Sequence, residues 1–361
     1  VDPVKAAWAA GGQGLLFGLS IGVLTTYSAL FAWKRLSNSA SKRFWITVLI
    51  LVVGLAAMRF FTDPATLAIE AVDAAKSGYL GGLGMPIMFS WIVGGLLAAG
   101  VAWVVGKISL GLRSDYLAIA TLGISEIIIY FLKFEDWLTR GVKNVNGLPR
   151  PVPYEINLQN EPWFQQFTSI FDVSVVDASS LIVKACYTGI FLAVLLALIW
   201  FSETALRAPW GRMMRAIRDN EIAATAMGKN VQKQHLQVFV LGSAVIGIAG
   251  AMLVTLDGQF TPTSYQPLRF TFLIWVMVII GGSGNNWGAV LGGFVIWFFW
   301  IEAEPVGLWL ITFLTSGMEP TNWLRLHLIE NAAHTRLITM GLVLLLTLRF
   351  APRGLIPEAK R

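Results

Sequence analysis

Charged side chains are scarce in this sequence: Asp, Glu, Lys and Arg together make up 13% of its 361 residues, about half of their share in ordinary globular domains. The charges lie in groups between long apolar runs instead of alternating with apolar residues. Because roughly 20 consecutive apolar residues form a helix that spans the hydrocarbon core, these runs predict an all-α, polytopic transmembrane helical bundle in a lipid bilayer. The net charge of +6 is explained by the positive-inside rule, so we expect no nucleic-acid partner.

Residues that build catalytic and metal sites are equally few. The single cysteine, Cys186, excludes an intramolecular disulfide and a multi-cysteine metal site. No GxxxxGK[ST] loop is present, which excludes ATP binding through that motif. His327 and His334 could share a helix face with Glu330, but the stretch around them favours an interfacial helix over a metal site. We therefore expect no enzyme, no catalytic residue, no cofactor and no metal.

Apolar segments account for the greater part of the chain, and we count about nine spans. In order they are 13–33, 44–61, 85–106, 115–132, 180–202, 237–256, 270–282, 288–301 and 337–350. The seventh and eighth are short, which leaves two alternatives: tilted spans, or two half-helices near 270–301 joined by the sequence GGSGNNWG. The stretch 65–78 has a helical period with acidic residues on one side, and we expect it at the membrane interface.

Loop charge predicts how the spans are oriented, because basic loops remain cytoplasmic. The loop 203–236 carries six Lys or Arg against three acids, and 133–179 carries six acids against four bases. With nine crossings of a single transmembrane domain, 1–361, we expect 133–179 to be an extracytoplasmic loop and 203–236 a cytoplasmic one. The carboxy terminus is then cytoplasmic and Val1 lies outside. Because the sequence starts without Met, we expect at least one further helix before Val1.

Two glycine-rich stretches share a pattern: GGLGMPIMFSWIVGG (81–95) and GGSGNNWGAVLGG (281–293). The predicted topology places them at opposite membrane faces, which indicates a weak inverted repeat, a common plan in transporters. Chance is the alternative, because Gly is frequent in membrane helices. In the second stretch, Ser283, Asn285 and Asn286 either line a translocation path or gate or belong to a tight cytoplasmic hairpin.

Glu126 is the most informative single residue in the apolar runs. It follows Asp115 by 11 residues, which places it ~16 Å into the membrane on a helix. A carboxylate at that depth costs at least ~2.5 kcal/mol. Glu126 therefore either lines a path or gate together with the nearby Thr121, or holds helices together, protonated or paired with Lys184 or a hydroxyl group.

A charged stretch, GRMMRAIRDNEIAATAMGKN (211–230), interrupts the apolar sequence. Asp219 or Asn220 can N-cap a short helix with Glu221 in its first turn, and Gly228 can end it in the left-handed conformation. The helix Glu221–Met227 has about two turns, which is too short to be stable alone in water, so it must dock. The sequence leaves two surfaces open: anionic lipid or a cytosolic partner protein.

Three blocks of the sequence are characteristic in their order and spacing. They are LGLRSDYLAIATLGISEII (110–128), APWGRMMRAIRDNEIAATAMGKNVQKQHLQVFVLGSAVIGIAGAM (208–252) and VMVIIGGSGNNWGAVLGG (276–293). Together they resemble the permease subunits of branched-chain amino acid ABC importers, most of all the M-type subunit, over roughly 85–303. The charged central block carries most of this resemblance, because cytoplasmic signatures differ more between transporter families than apolar helices do.

The resemblance implies a multi-chain importer in the bacterial inner membrane. Its partners would be a second permease subunit, two cytosolic ATPase subunits and a periplasmic substrate-binding protein. In such permeases a short cytoplasmic helix couples the membrane subunit to the ATPase, and by similarity that coupling helix lies within 219–228. The coupling positions that it implies are Arg218, Asp219, Glu221, Ala224 and Gly228. The resemblance thus predicts import of branched-chain or other hydrophobic amino acids, driven by the partner ATPases.

Two departures from the family pattern leave other substrates open. The chain has no close match to the family's GQxSLGHAAFFGIGAY-type block, and its loop LTRGVKNVNGLPRP (138–151) is longer than the usual TGGPNGI-type run. Both differences fall where substrate would enter or sit, so a urea or amide ABC permease is one alternative. An ion-coupled secondary transporter is another, for which Glu126 is the intramembrane acid.

Overall fold

The computed structural model describes residues 3–35, 40–136, 141–319 and 322–357. Within them the chain is helical, and the one strand-like pairing is a single bridge between Val145 and Phe260. This confirms the all-α fold. In chain order the helices are α1 Pro3–Arg35, α2 Ala40–Val72, α3 Ser77–Gly81, α4 Ile87–Ser109, α5 Ser114–Phe134, α6 Glu155–Asn160, α7 Pro162–Ile170, α8 Val175–Arg207, α9 Pro209–Asp219, α10 Glu221–Ala226, α11 Val231–Asp257, α12 Pro267–Gly281, α13 Asn286–Leu314, α14 Trp323–Glu330 and α15 Thr335–Phe350.

Eight helical segments in the described residues are long and apolar enough to cross a membrane. They lie in α1, α2, α4, α5, α8, α11, α13 and Ala332–Phe350. The apolar part of α12, Arg269–Gly281, is shorter. At about 1.5 Å per residue, the 15 residues of α12 reach ~23 Å, less than the ~30 Å of a hydrocarbon core.

Two helices continue past a proline, beyond the apolar segments that the sequence outlines. The sequence predicts an apolar segment at 288–301, whereas α13 continues through Pro305 to Leu314 and is 29 residues long. The sequence places 65–78 at the membrane interface, whereas most of it belongs to α2, which runs through Pro64 to Val72. A proline inside a membrane helix is tolerated because neighbouring groups satisfy the freed backbone, so neither proline ends its helix here.

The chain forms two compact units. The first comprises Val1–Val194 and Met213–Thr263, and the second Leu195–Arg212 and Ser264–Arg361. In the first unit, α1 packs on α2 and α4 packs on α11 through small residues. A Cβ at Gly11 would lie 2.4 Å from the Ala65 carbonyl oxygen, and one at Gly247 would lie 2.7 Å from that of Gly94. Such backbone proximity is how membrane helices gain packing energy.

A buried polar contact adds to the α4–α11 packing in the first unit. The indole Nε1 of Trp91 donates to the Thr255 Oγ1 at 2.9 Å, and both residues are buried. Because an unsatisfied buried donor is costly, this pair favours one arrangement of the two helices.

The second unit is built around the α12–α13 hairpin and α15. Its core consists of large apolar side chains from these three helices: Leu273, Val276, Ile280, Ile296, Trp300 and Met340. A Cβ at Gly292 would lie 1.9 Å from the Met277 carbonyl oxygen, so this hairpin has no space for a side chain at that position.

Candidate functional site

The charged stretch that interrupts the apolar sequence forms two helices, α9 and α10. On α9, Ile217 is buried while Arg212 and Arg218 are exposed. Arg218 forms an ion pair with the adjacent Asp219 at 3.3 Å. These two arginines therefore lie on the outer side of α9, away from the buried Ile217.

The helix α10 is closed at both ends by local hydrogen bonds. At its start, the Asn220 Oδ1 accepts the Ala223 N–H at 2.9 Å. At its end, the Gly228 N–H donates to the Thr225 carbonyl at 2.9 Å, and Gly228 has φ +78°. The predicted helix and its glycine end are confirmed, and of the two candidate N-caps the structure uses Asn220. Asp219 instead ends α9.

One side of α10 is anchored to the rest of the first unit. Ala224 is buried in a small cluster with Ile217 of α9 and Val231 of α11, and Met213 and Met214 pack against it. A two-turn helix is unstable alone, so this cluster and the two caps are what hold α10 in place.

Two large apolar side chains are left exposed, one on α10 and one at its C-cap. Ile222 is 83% exposed and Met227 is 80% exposed. Glu221 is also exposed, beside the helix N-terminus where a carboxylate is favourable. We name Glu221, Ile222 and Met227 the outer face of α10. Large apolar side chains so fully exposed on a fixed helix are characteristic of an interaction surface.

The two intramembrane residues Thr121 and Glu126 lie on α5. None of the residues in the most apolar 18-residue window of α5 is buried by this chain. The Thr121 Oγ1 donates to the Leu117 carbonyl at 2.8 Å, and Glu126 is exposed. In the part of the chain that the structure describes, no hydrogen bond or ion pair joins Glu126 to Lys184, so that pairing does not hold its helix in place.

The stretch that holds Ser283, Asn285 and Asn286 forms the tight turn between α12 and α13. The Asn285 Oδ1 caps α13 by accepting the Trp287 N–H at 3.0 Å. The Asn286 Nδ2 donates to the Glu203 Oε1 at 3.1 Å, and Ser283 is exposed. This is the geometry of a tight helix hairpin with one interhelical polar contact. A role of these residues in a path or gate remains a prediction.

The carboxy-terminal segment closes over this turn. The Leu355 N–H donates to the Ile280 carbonyl at 2.8 Å, and the Ile356 N–H to the Gly281 carbonyl at 2.9 Å. Gly282 has φ +116°, a conformation that only glycine adopts readily. The glycines of the turn are therefore explained by close packing of three backbone segments.

A cationic cluster in the second unit is not predicted from the sequence. The guanidinium carbons of Arg269 and Arg336 lie 5.1 Å and 5.6 Å from the Trp300 ring centroid. Arg336 also forms an ion pair with Glu304. These residues come from three different helices, α12, α13 and α15, so no local sequence motif predicts the cluster. Its one sequence signal is the pair of acids at 302 and 304 within an apolar run.

The histidines that could have shared a metal have other neighbours. The His327 ring stacks on Trp323 with centroids 5.8 Å apart, and the Asn331 Nδ2 lies 3.4 Å from the His327 Nδ1. In residues 3–35, 40–136, 141–319 and 322–357, no group of three or more His, Cys, Asp or Glu side chains is placed to hold a metal ion.

Comparison with known proteins identifies the family to which this helical membrane protein belongs. The model of the family described as "Branched-chain amino acid transport system / permease component" matches residues 8–348. The chain belongs to this permease family. The family is one of transporters and not of enzymes, and with its apolar helices this permease is a multi-pass membrane protein.

Three relatives illustrate the range of the similarity. The permease is 28% identical to the high-affinity branched-chain amino acid transport system permease protein LivM of Escherichia coli strain K12, over 68% of this chain and 57% of that protein. It is 28% identical to the probable branched-chain amino acid transport permease protein LivM of Methanocaldococcus jannaschii, over 82% of this chain and 75% of that one. The fructose import permease protein FrcC of Rhizobium meliloti is 26% identical over 34% of each chain.

The aligned region spans little more than half of the Escherichia coli relative. No solved structure matches the chain.

Proposed function

We propose that this permease is one membrane subunit of a binding-protein-dependent ABC importer that moves branched-chain or other hydrophobic amino acids into the cytoplasm. Its partners are a second permease subunit, two cytosolic ATPase subunits and a periplasmic substrate-binding protein, in a bacterial inner membrane. Its carboxy terminus and the loop 203–236 are cytoplasmic. Family membership supports the transport class, and the printed names of the two LivM relatives support the substrate class.

The outer face of α10 is the observation that carries the coupling part of the proposal. A helix of only six residues, Glu221–Ala226, has caps at both ends and one buried anchor, Ala224. A helix that served only as a connection would gain nothing from two nearly fully exposed apolar side chains. A cleft on an ATPase subunit would bury them, and closure of the ATPase pair would then push on α10. Of the predicted coupling positions, Arg218, Asp219 and Glu221 are exposed, and Gly228 shapes the helix end.

Co-purification followed by ATP hydrolysis tests the assembly. The permease is co-expressed with candidate second-permease and ATPase subunits, and the complex is reconstituted in liposomes with the binding protein. We expect ATPase subunits to copurify and leucine, isoleucine or valine to stimulate hydrolysis. Urea, acetamide and fructose are compared in the same assay, and stimulation by one of these alone would replace the amino-acid substrate. Recovery of the permease without any ATPase would contradict the proposal.

Two substitutions test the coupling helix itself. Glu221→Lys reverses a charge at the helix N-terminus, and Gly228→Pro forces φ near −65° where the chain has +78°. Both should abolish transport while the membrane subunit remains folded. Glu319→Lys, a charge reversal at an exposed position outside the loop, is the matched control and should transport normally. Uptake that survives ATP depletion but stops when the ion gradient collapses would favour the ion-coupled alternative.

A further inference from the structure

The helix α7 carries an apolar stripe that the rest of the chain does not cover. Trp163, Phe167 and Ile170 recur at helical spacing, so they share one side of the helix, and they are 57%, 45% and 77% exposed. The Phe167 ring packs on Phe171 with centroids 5.0 Å apart. The side opposite the stripe carries the exposed uncharged polar residues Gln165 and Ser169, and Gln166 lies at the edge of the stripe. The helix is therefore amphipathic, with one apolar and one polar side.

A third side of α7 fixes it to the start of α8. Phe164 is fully buried in a cluster with Ala178, Val183 and Tyr187 of α8. A hydrogen bond from the Gln159 Nε2 to the Ser179 Oγ at 2.8 Å ties the preceding residues to α8. These contacts fix the position of the apolar stripe of α7 along the axis of α8, next to its first turns.

The first turns of α8, where α7 is attached, coincide with the end of the membrane span that α8 forms. The 33 residues of α8 extend ~50 Å at 1.5 Å per residue, about 20 Å more than a hydrocarbon core. The apolar run of α8 begins near residue 180, and the cluster that buries Phe164 includes Ala178, Val183 and Tyr187, on both sides of that point. Lys184 is exposed at the same level, where a long basic side chain can reach the headgroups.

From this placement we propose that α7 is an interfacial helix that lies in the plane of the bilayer and inserts its Trp163–Phe167–Ile170 stripe among the lipids at the headgroup–acyl boundary. The exposed surface of α8 near the start of its apolar run is apolar too, with Leu181 70% exposed. Aromatic residues are enriched at this depth of a membrane, and an amphipathic helix binds there through its apolar side. This inference holds whichever side of the membrane α7 is on, and it does not depend on the substrate.

The uncharged polar side of α7 adds a distinguishing feature. Interfacial helices that depend on anionic lipid carry Lys and Arg on the polar side, whereas α7 has Gln and Ser there and acids at its two ends, Glu161 and Asp172. We therefore expect its insertion to be the same in purely zwitterionic vesicles and in vesicles that contain anionic phospholipid.

Spin labelling tests the placement. In the full chain, assembled with its partner subunits and reconstituted in phosphatidylcholine vesicles, Cys186 is replaced by Ser and single nitroxides are attached at Ile170→Cys or Phe167→Cys. Ser169→Cys, on the polar side of the same helix, is the matched control. Collision with oxygen should exceed collision with a water-soluble nickel complex at 167 and 170, and the order should be reversed at 169.

Each alternative gives a different result. Strong nickel collision at Ile170→Cys means that water covers the stripe, and exclusion of both reagents means that protein covers it; either result overturns the proposal. A photoreactive phenylalanine at position 170 needs no cysteine replacement and gives an independent measurement. Adducts with phospholipid support the proposal, and adducts with another subunit or with the substrate-binding protein refute it.

Discussion

Truncation of Ile222 and Met227 to Ala measures how strongly the outer face of α10 binds an ATPase subunit. Their exposed fractions of 83% and 80% leave almost the whole of each side chain for a partner to bury. Full burial of such a side chain contributes about 1.5–3 kcal/mol, and Ala retains only a small part of it. Because about 1.4 kcal/mol corresponds to a factor of 10, a loss of roughly 1.5–2 kcal/mol weakens ATPase binding roughly 10- to 30-fold in each single variant.

The assay is a titration of purified ATPase subunits onto the permease in nanodiscs. Since neither side chain is covered by the permease itself, the thermal unfolding temperature of the variants should not change, which separates binding from folding. Ile222→Leu is the matched control because it keeps the apolar volume, and it should bind as the unaltered chain does. If the Ile222→Ala/Met227→Ala double variant bound ATPase with undiminished affinity, the outer face of α10 would not be the docking surface.

Three further substitutions test the local structure. Asn220→Ala removes the cap of α10 and should cost about 1 kcal/mol of helix stability, visible as faster amide exchange in α10 and lower substrate-stimulated ATP hydrolysis. Gly292→Leu places a side chain where a Cβ would already lie 1.9 Å from a carbonyl oxygen; the unfolding temperature and the yield should fall, whereas Gly293→Leu, with open space around it, should be tolerated. Thr255→Val leaves the buried Trp91 indole N–H without its acceptor, and the free energy of unfolding measured in detergent should fall by about 1–3 kcal/mol. An unchanged unfolding midpoint would show that the hydrogen bond does not stabilise the fold.

The features that depend on neighbouring residues could be predicted from the sequence. A helix as short as α10 has its ends determined by side chains within three residues, and Asn220 and Gly228 are of the types that such ends require. The apolar runs likewise predict helices, because a backbone in lipid must satisfy its own hydrogen bonds. A tight hairpin is one of the two alternatives that the sequence leaves for 281–293, and the structure shows a hairpin in which Gly292 meets the facing backbone.

Features that depend on tertiary contacts could not be predicted in the same way. The Trp300 ring has a guanidinium near it from α12 and another from α15, and nothing in the sequence around Arg269 or Arg336 points to Trp300. The continuation of α13 through Pro305 depends on its neighbours, since a proline ends a helix in water but is tolerated inside a packed membrane helix. Glu126 likewise depends on more than its local sequence: none of the residues in the most apolar window of α5 is buried by this chain, so the environment of Glu126 is set by lipid or by a second subunit.

The position of α10 in the chain explains how a small displacement could act on the membrane spans under the proposed function. Its anchor, Ala224, packs between Ile217 and Val231, and Val231 is the first residue of α11, a continuous helix to Asp257. A force on Ile222 or Met227 would therefore be passed through a buried contact to the end of a membrane helix instead of being absorbed by a loose loop. Interiors are closely packed and transmit strain, so Ala224→Gly, which removes that contact while keeping the outer face, should leave ATPase binding largely intact but weaken the coupling of hydrolysis to transport. Equal loss of binding and coupling in this variant would mean that Ala224 serves only to hold the helix.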